Sequence, residues 1–111
     1  MLAPNLSHVN SVHLSGVLRE LSSPRYTPSG LPVVEGVVCH FSHRAGGNVP
    51  MRVDVEVRFV SVGSDSTRLV SSFIGRTIFL EGFWGPHGIY RLPVLHVNSF
   101  CFFCDRESGD L

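Results

Sequence analysis

The chain contains no lysine: all nine of its basic residues are arginine. They are balanced by nine acidic residues, so the formal net charge is zero and the isoelectric point is about 7. That balance argues against a protein that grips a polyanion by bulk charge alone. Arginine, however, joins a permanent charge to a flat face that stacks on rings and bases. Drift in genome composition is the plainer explanation of the missing lysine. No apolar run reaches the roughly 18 residues of a membrane span. The start, Met1-Leu2-Ala3-Pro4-Asn5-Leu6-Ser7-His8, lacks the basic end and apolar centre of a secretory signal. Cysteine is scarce and odd in number, three in 111 residues, which excludes a complete disulfide framework. Cys101 and Cys104 form one C-x-x-C, with Cys39, His40 and His43 as remote possible helpers. Zinc wants four ligands, and one such pair is a weak signal. Cys39 and Cys101 are instead expected to pack along strands as small apolar residues. No metal, no cofactor and a reduced, cytoplasmic location are expected.

What is present is alternation. Residues 1–8 read as a loose leader, 9–104 as one domain and 105–111 as a polar tail. In Val9 to Leu18, the residues Val12, Leu14 and Leu18 share a face with Gly16, where a bulge or sharp bend is expected. Thr27-Pro28-Ser29-Gly30 is turn chemistry: proline presets the second position and glycine suits the fourth. Leu31 to His43 is a valine-rich strand with apolar residues on both faces, so the pattern alone does not choose the buried one. Arg44-Ala45-Gly46-Gly47-Asn48 reads as a hairpin loop. Met51 to Val62 is the clearest strand, with Val53, Val55, Val57 and Phe59 alternating with Arg52, Asp54, Glu56 and Arg58. Ser64 to Thr67 offers capping side chains, Leu69, Val70 and Phe73 recur at helical spacing, and Gly75 suits a C-cap. A helix of about ten residues is therefore expected there. Thr77 to Trp84 and Tyr90 to Phe103 are strands flanking a loop at 85–88. Three strands, a short helix and two strands make the layout of an all-β OB-fold, a five-stranded Greek-key barrel with its helix between strands three and four. A β-sandwich would need more strands.

On this framework "VNSVHLSGVLRE", "RYTPSGLPV" and "TIFLEGF" resemble the pattern of bacterial single-stranded DNA-binding proteins. The matching positions are Asn10, Gly16, Arg25 to Gly30, Glu81 and Gly82, within residues 9 to 100. Inside that superfamily the chain resembles the primosomal replication protein N family, the small accessory subunits of the replication-restart primosome. It is short, its end does not match the acidic-hydrophobic tip of the long-tailed members, and "SGLPVVEGVVCH" and "PVLHVNSF" are similar to that family's strands. The resemblance implies a non-enzymatic homodimer in a bacterial cytoplasm. It implies binding to single-stranded DNA, contact with the primosomal helicase and, in some lineages, with a helicase-loading factor. Where family members carry lysines between the last two strands, this chain has Gly82-Phe83-Trp84-Gly85-Pro86-His87-Gly88-Ile89-Tyr90-Arg91. Stacking is thus expected to outweigh charge.

Single strands are held by a cationic groove and by rings on which bases stack, each stack worth roughly 1–3 kcal/mol. The candidates on the face of strands two and three and its flanking loops are Phe41, Arg44, Arg52, Arg58, Trp84, His87, Tyr90 and Arg91. Asp54 and Glu56 share the wet face and repel phosphate, so a solvated surface with cross-strand ion pairs is the plain alternative. Phe83-Trp84 admits a base platform, a partner contact or rim core; at most one of the two faces the core. His40, His87 and His96 also read as hydrogen-bonded, half-buried histidines. A dimer interface is expected at Val33, Val37 and Cys39, the apolar surplus if Val34 and Val38 are core. Tyr26 is expected to pack on the barrel, with Arg25 at its rim. No nucleophile elbow, ligand spacing or phosphate loop supports catalysis. The competing function is an OB-fold module whose main partner is protein, or another single-strand binder of weak DNA affinity.

Overall fold

The structure is a computed structural model and describes residues 7–88 and 90–103, apart from the side chains of Tyr90 and Arg91. Six strands follow in order: β1 (Val12–Leu21), β2 (Arg25–Tyr26), β3 (Pro32–Gly46), β4 (Val49–Val62), β5 (Thr77–His87) and β6 (Tyr90–Phe102). β2 is a two-residue edge on β3. The other five close on themselves: β1 pairs with β5, β5 with β6, β6 with β4, β4 with β3, and β3 returns to β1. This is the expected OB-fold barrel. The β4–β6 seam is parallel and short, running only from Phe59↔Leu95 to Ser61↔Val97.

The alternation along the strands builds the core. Leu18, Val34, Val38, Phe59, Ile78, Leu80 and Leu95 point inward, none more than 1% exposed. Gly16 lies where β1 crosses β3. A Cβ there would come within 2.4 Å of Val38 Cγ1 and 2.5 Å of the Cys39 carbonyl oxygen. The glycine thus permits barrel closure, while the register irregularity falls a little later, between Leu18 and Glu20. The Thr27–Gly30 turn closes as expected: the Gly30 N–H donates to the Thr27 carbonyl at 2.8 Å, with Gly30 at φ 93°.

The helix expected at 64–75 is instead two 3-10 turns, Ser64–Arg68 and Ser71–Phe73, with Leu69 and Val70 extended between them. The stretch Ser64 to Phe73 is rich in serine and threonine, which compete with the helix for backbone hydrogen bonds. Ser66 does not cap. It is fully buried and shares a 2.8 Å hydrogen bond with Ser61 Oγ. Leu69 takes the sealing role, entering the core at 4% exposure with Phe73 packed beside it.

Two expected loops are strand. β3 and β4 pair without a break from Val33↔Val62 to Gly46↔Val49, so the Gly47-Asn48 turn tips a long ribbon that leaves the barrel. Gly47 has φ 67° and Asn48 does not have a positive φ, the type II′ pattern. This is why Val53 and Val55 are only partly covered, whereas Phe59 on the same strand is buried. β5 likewise continues through Trp84 to His87, and the β5–β6 hairpin forms a second ribbon. Tyr26 does not pack on the barrel; it is 65% exposed.

Candidate nucleic-acid interface

Register decides which candidates share a face. Glu35↔Val60, Val60↔His96 and His96↔Phe83 are cross-strand neighbours, so one row runs over the outer surface of β3, β4, β6 and β5. Val33, Val60 and Val94 form a small apolar patch under this row. The same parity carries Val37 with Arg58, Cys39 with Glu56, Phe41 with Asp54 and His43 with Arg52 out along the first ribbon. The face therefore extends from an apolar centre on to a mixed, charged arm.

On the arm, Phe41 is half exposed, with the Arg52 guanidinium 4.9 Å from its ring centroid. The His43 ring meets Phe41 edge-on at 5.0 Å. Phe41 and Arg52 are thus brought together, with His43, named from sequence only as a possible metal helper, as a third member. Arg52 also lies 3.6 Å from Asp54, and Glu56 is paired with Arg19. Cross-strand ion pairing and a stacking surface coexist here. Arg44 pairs with Met51 and belongs to the opposite face of the ribbon. Arg58 lines the cleft beside Val37.

On the second ribbon, Phe83 lies flat on His96, with centroids 5.1 Å apart and planes 5° from parallel. His96 Nε2 is 2.8 Å from the Pro86 carbonyl, and His87 meets His96 edge-on at 6.0 Å. Trp84 has the other parity, level with core Leu95, and is 38% exposed at the rim. Its backbone is clamped by Asn10, whose side chain donates to the Trp84 carbonyl at 2.7 Å and accepts from its N–H at 2.9 Å. Of the adjacent rings, Phe83 stands on the outer row and Trp84 does not. Tyr90 and Arg91 are in β6, and their side chains lie outside the described ones.

His87 reaches over to β3. Its Nε2 is 2.7 Å from Glu35 Oε2, the oxygen that also accepts from Arg25 Nη2 at 2.5 Å. The His87 hydrogen bond is the largest influence on the Glu35 carboxyl. Together with the Arg25 charge it holds the group below the ordinary carboxylate value, while partial burial pushes the other way. Glu35 was not among the sequence candidates. Its signal is a lone carboxylate inside Val33-Val34-Glu35-Gly36-Val37-Val38, a run otherwise buried on both sides of the strand.

The expected dimer residues do not form an open patch. Val33 and Val37 are 7% and 6% exposed within the single chain, and Val33 packs in a cluster with Val60 and Val94. Cys39 is partly exposed and Cys101 is exposed, and Cys104 lies outside the described residues. Neither cysteine is a packed core residue. Among the described residues no three of His, Cys, Asp and Glu cluster as metal ligands.

The closed barrel with its ribbon-flanked outer face defines an OB-type binding protein. A family model described as "another single-strand binding protein family" matches residues 10–99. Replication restart protein PriB of Nitrosomonas europaea is 28% identical over 91 residues, covering 81% of this chain and 84% of that protein. The PriB of Bordetella pertussis is 30% identical over 78 residues, covering 70% and 73%. The structure of PriB from Ralstonia solanacearum superposes with a TM-score of 0.73 at 18% identity, covering 86% of this chain and 98% of that one. The chain belongs to the single-strand binding protein family, and within it to the PriB proteins of replication restart.

Proposed function

We propose that the chain is a non-enzymatic, single-stranded DNA-binding accessory protein of the replication-restart primosome, acting in the cytoplasm beside the primosomal helicase and its loading factor. The observation that carries this reading is the outer face. Phe83 on His96 and Phe41 with Arg52 put two ring platforms at either end of one continuous row of strands, with Arg58 between. A row of stacking surfaces beside arginines is what an unspecific single-strand site requires. The family description and the relatives' names support the same reading. Arg44 and Trp84, off this face, act from the edges of the groove or on a partner.

Titration of labelled oligonucleotides at low salt tests it: single strands are expected to bind in preference to duplex, and equal binding would end the DNA role. Pull-down of the helicase by wild type, Trp84→Ala and Arg44→Ala tests the partner role. Loss of helicase with DNA binding intact assigns those residues to the partner.

A protein-binding module is the second reading. It is favoured by the apolar strip of Val49, Met51 and Val55, each about half exposed or more, on the reverse of the first ribbon. For the homodimer, burial of Val33 and Val37 moves the best surface to the outside of β1, β5 and β6. There Val17, Phe79 and Phe103 are each more than 40% exposed. Phe79→Glu is expected to yield monomers in sedimentation, whereas an unchanged mass would exclude that surface.

A further inference from the structure

Among the described residues, a cavity opens on the outer face. It lies between the end of β1, the β3–β4 surface and the overhanging β5–β6 ribbon, with a volume of about 190 Å3. Val37 and Val94 supply apolar wall, and Glu20, Ser22, Glu35, Arg58 and His87 supply polar wall. The volume is below the roughly 300–1,000 Å3 of pockets for drug-sized ligands, and suits a single ring system.

The polar wall is set in advance. Glu35 is held from two sides, by Arg25 on β2 and His87 on β5, and both bonds go to Oε2. Among the described residues no hydrogen bond reaches Oε1. The backbone N–H of Glu35 is engaged as well, donating to Ser22 Oγ at 3.0 Å. The carboxyl is therefore ionised at neutral pH and held through Oε2, and its second oxygen has no partner among the described residues. A carboxylate is a poor neighbour for phosphate, but Arg25 offsets its charge, so a strand can approach this point.

We infer that this cavity is a base-reading pocket in an otherwise unspecific face, and that its ligand is a nucleobase presenting adjacent N–H donors, guanine above all. The inference rests on the single-strand reading above. An ionised carboxylate only accepts hydrogen bonds. Guanine offers it N1–H beside the N2 amino group, on a ring that the valines can cover. Thymine offers one N–H flanked by two carbonyl oxygens, and both repel the carboxylate. Cytosine's exocyclic amine is the intermediate case, as in known carboxylate–cytosine contacts.

The test uses the full chain and short thymidine oligonucleotides that carry one central guanine, inosine or thymine. Wild type is expected to bind the guanine strand about tenfold more tightly than the all-thymine strand, within the range for paired hydrogen bonds to a base. Inosine, which lacks the 2-amino group, is expected to lose most of that gain. Glu35→Gln is expected to remove the preference, so that the guanine and all-thymine strands bind it alike. Equal affinity of wild type for all three strands overturns the pocket and leaves the single-strand reading standing. So does a guanine preference that survives in Glu35→Gln. Failure of every strand to bind at low salt overturns both. The inosine comparison needs no variant, so misfolding of Glu35→Gln would not shelter the proposal.

Discussion

Phe41→Leu separates a stacking surface from a merely apolar one. The Phe41 ring is 52% exposed on a ribbon beyond the barrel, outside both core clusters, and touches Arg52 and His43. With half of a ring's 150–250 Å2 buried, at about 25 cal/mol per Å2, its burial is worth at most about 2–3 kcal/mol. Leucine retains most of that area, so the stability change is expected to stay under about 1.5 kcal/mol. What leucine cannot supply is a π-face. If a base stacks on Phe41, the loss is about 1–3 kcal/mol of binding, a five- to 150-fold rise in Kd. Anisotropy of a labelled thymidine oligonucleotide at low salt, read beside a thermal melt, distinguishes the two. A Leu variant that melts like wild type and binds within twofold of it would refute the platform. A binding loss that only follows a fall in Tm would refute it as well.

Gly82→Ala is expected to destabilise the barrel by at least about 1–3 kcal/mol, since strand backbone cannot move aside cheaply. Its Cβ would lie 1.9 Å from the His96 carbonyl oxygen, and a Tm within error of wild type would contradict that geometry. Ser66→Ala leaves the buried Ser61 hydroxyl without its partner and is expected to cost about 1–3 kcal/mol in a urea titration. Glu35 has a folded pKa below its ordinary 4.5, so its contribution to stability is fully present above that pH and is lost as the pH falls through the folded value. The Tm difference between wild type and Glu35→Gln should therefore narrow in acid, and a gap that widens there would reverse the sign. With Arg25, Arg52 and Arg58 as the described cations on the outer face, the salt slope of DNA binding is expected near −2, from about −0.7 per phosphate on single strands. A slope steeper than about −4 would mean that other cations carry the site.

The barrel was legible because alternation and turn chemistry act locally. Val57 and Phe59 against Arg58, and Thr27 to Gly30, mean the same thing in the chain as in the fold. The short helix between the third and fourth barrel strands takes 3-10 form, because capping residues and helical spacing are also satisfied by two 3-10 turns once Ser66 bonds the buried Ser61. Strand ends were placed too early for a different reason. Glycine and histidine at 85–88 read as loop, yet a ribbon in two-strand register accepts them. The candidate site was only half visible. Phe41 and Arg52 are eleven residues apart but face to face by hairpin register, which the alternation on β4 already implies. Glu35 and His87 are 52 residues apart and meet only because one ribbon curls over another strand's outer surface. No periodicity within either strand carries that information.

The pairing of charges also explains how a neutral chain can offer a site for a polyanion. Arg19, Arg25, Arg52 and Arg68 each lie against a carboxylate of Glu56, Glu35, Asp54 or Asp65. Exposed pairs of this kind contribute little to stability, typically under about 1 kcal/mol. Their effect on binding is larger, because an arginine already facing a carboxylate gives up that contact before it meets a phosphate. Charge is thereby discounted across the face, while the planes of Phe41 and Phe83 lose nothing. On the proposed site, rings are expected to set affinity, and polar atoms without a partner among the described residues to set specificity. Glu35 Oε1 is one of these: among the described residues both bonds to the carboxylate go to Oε2.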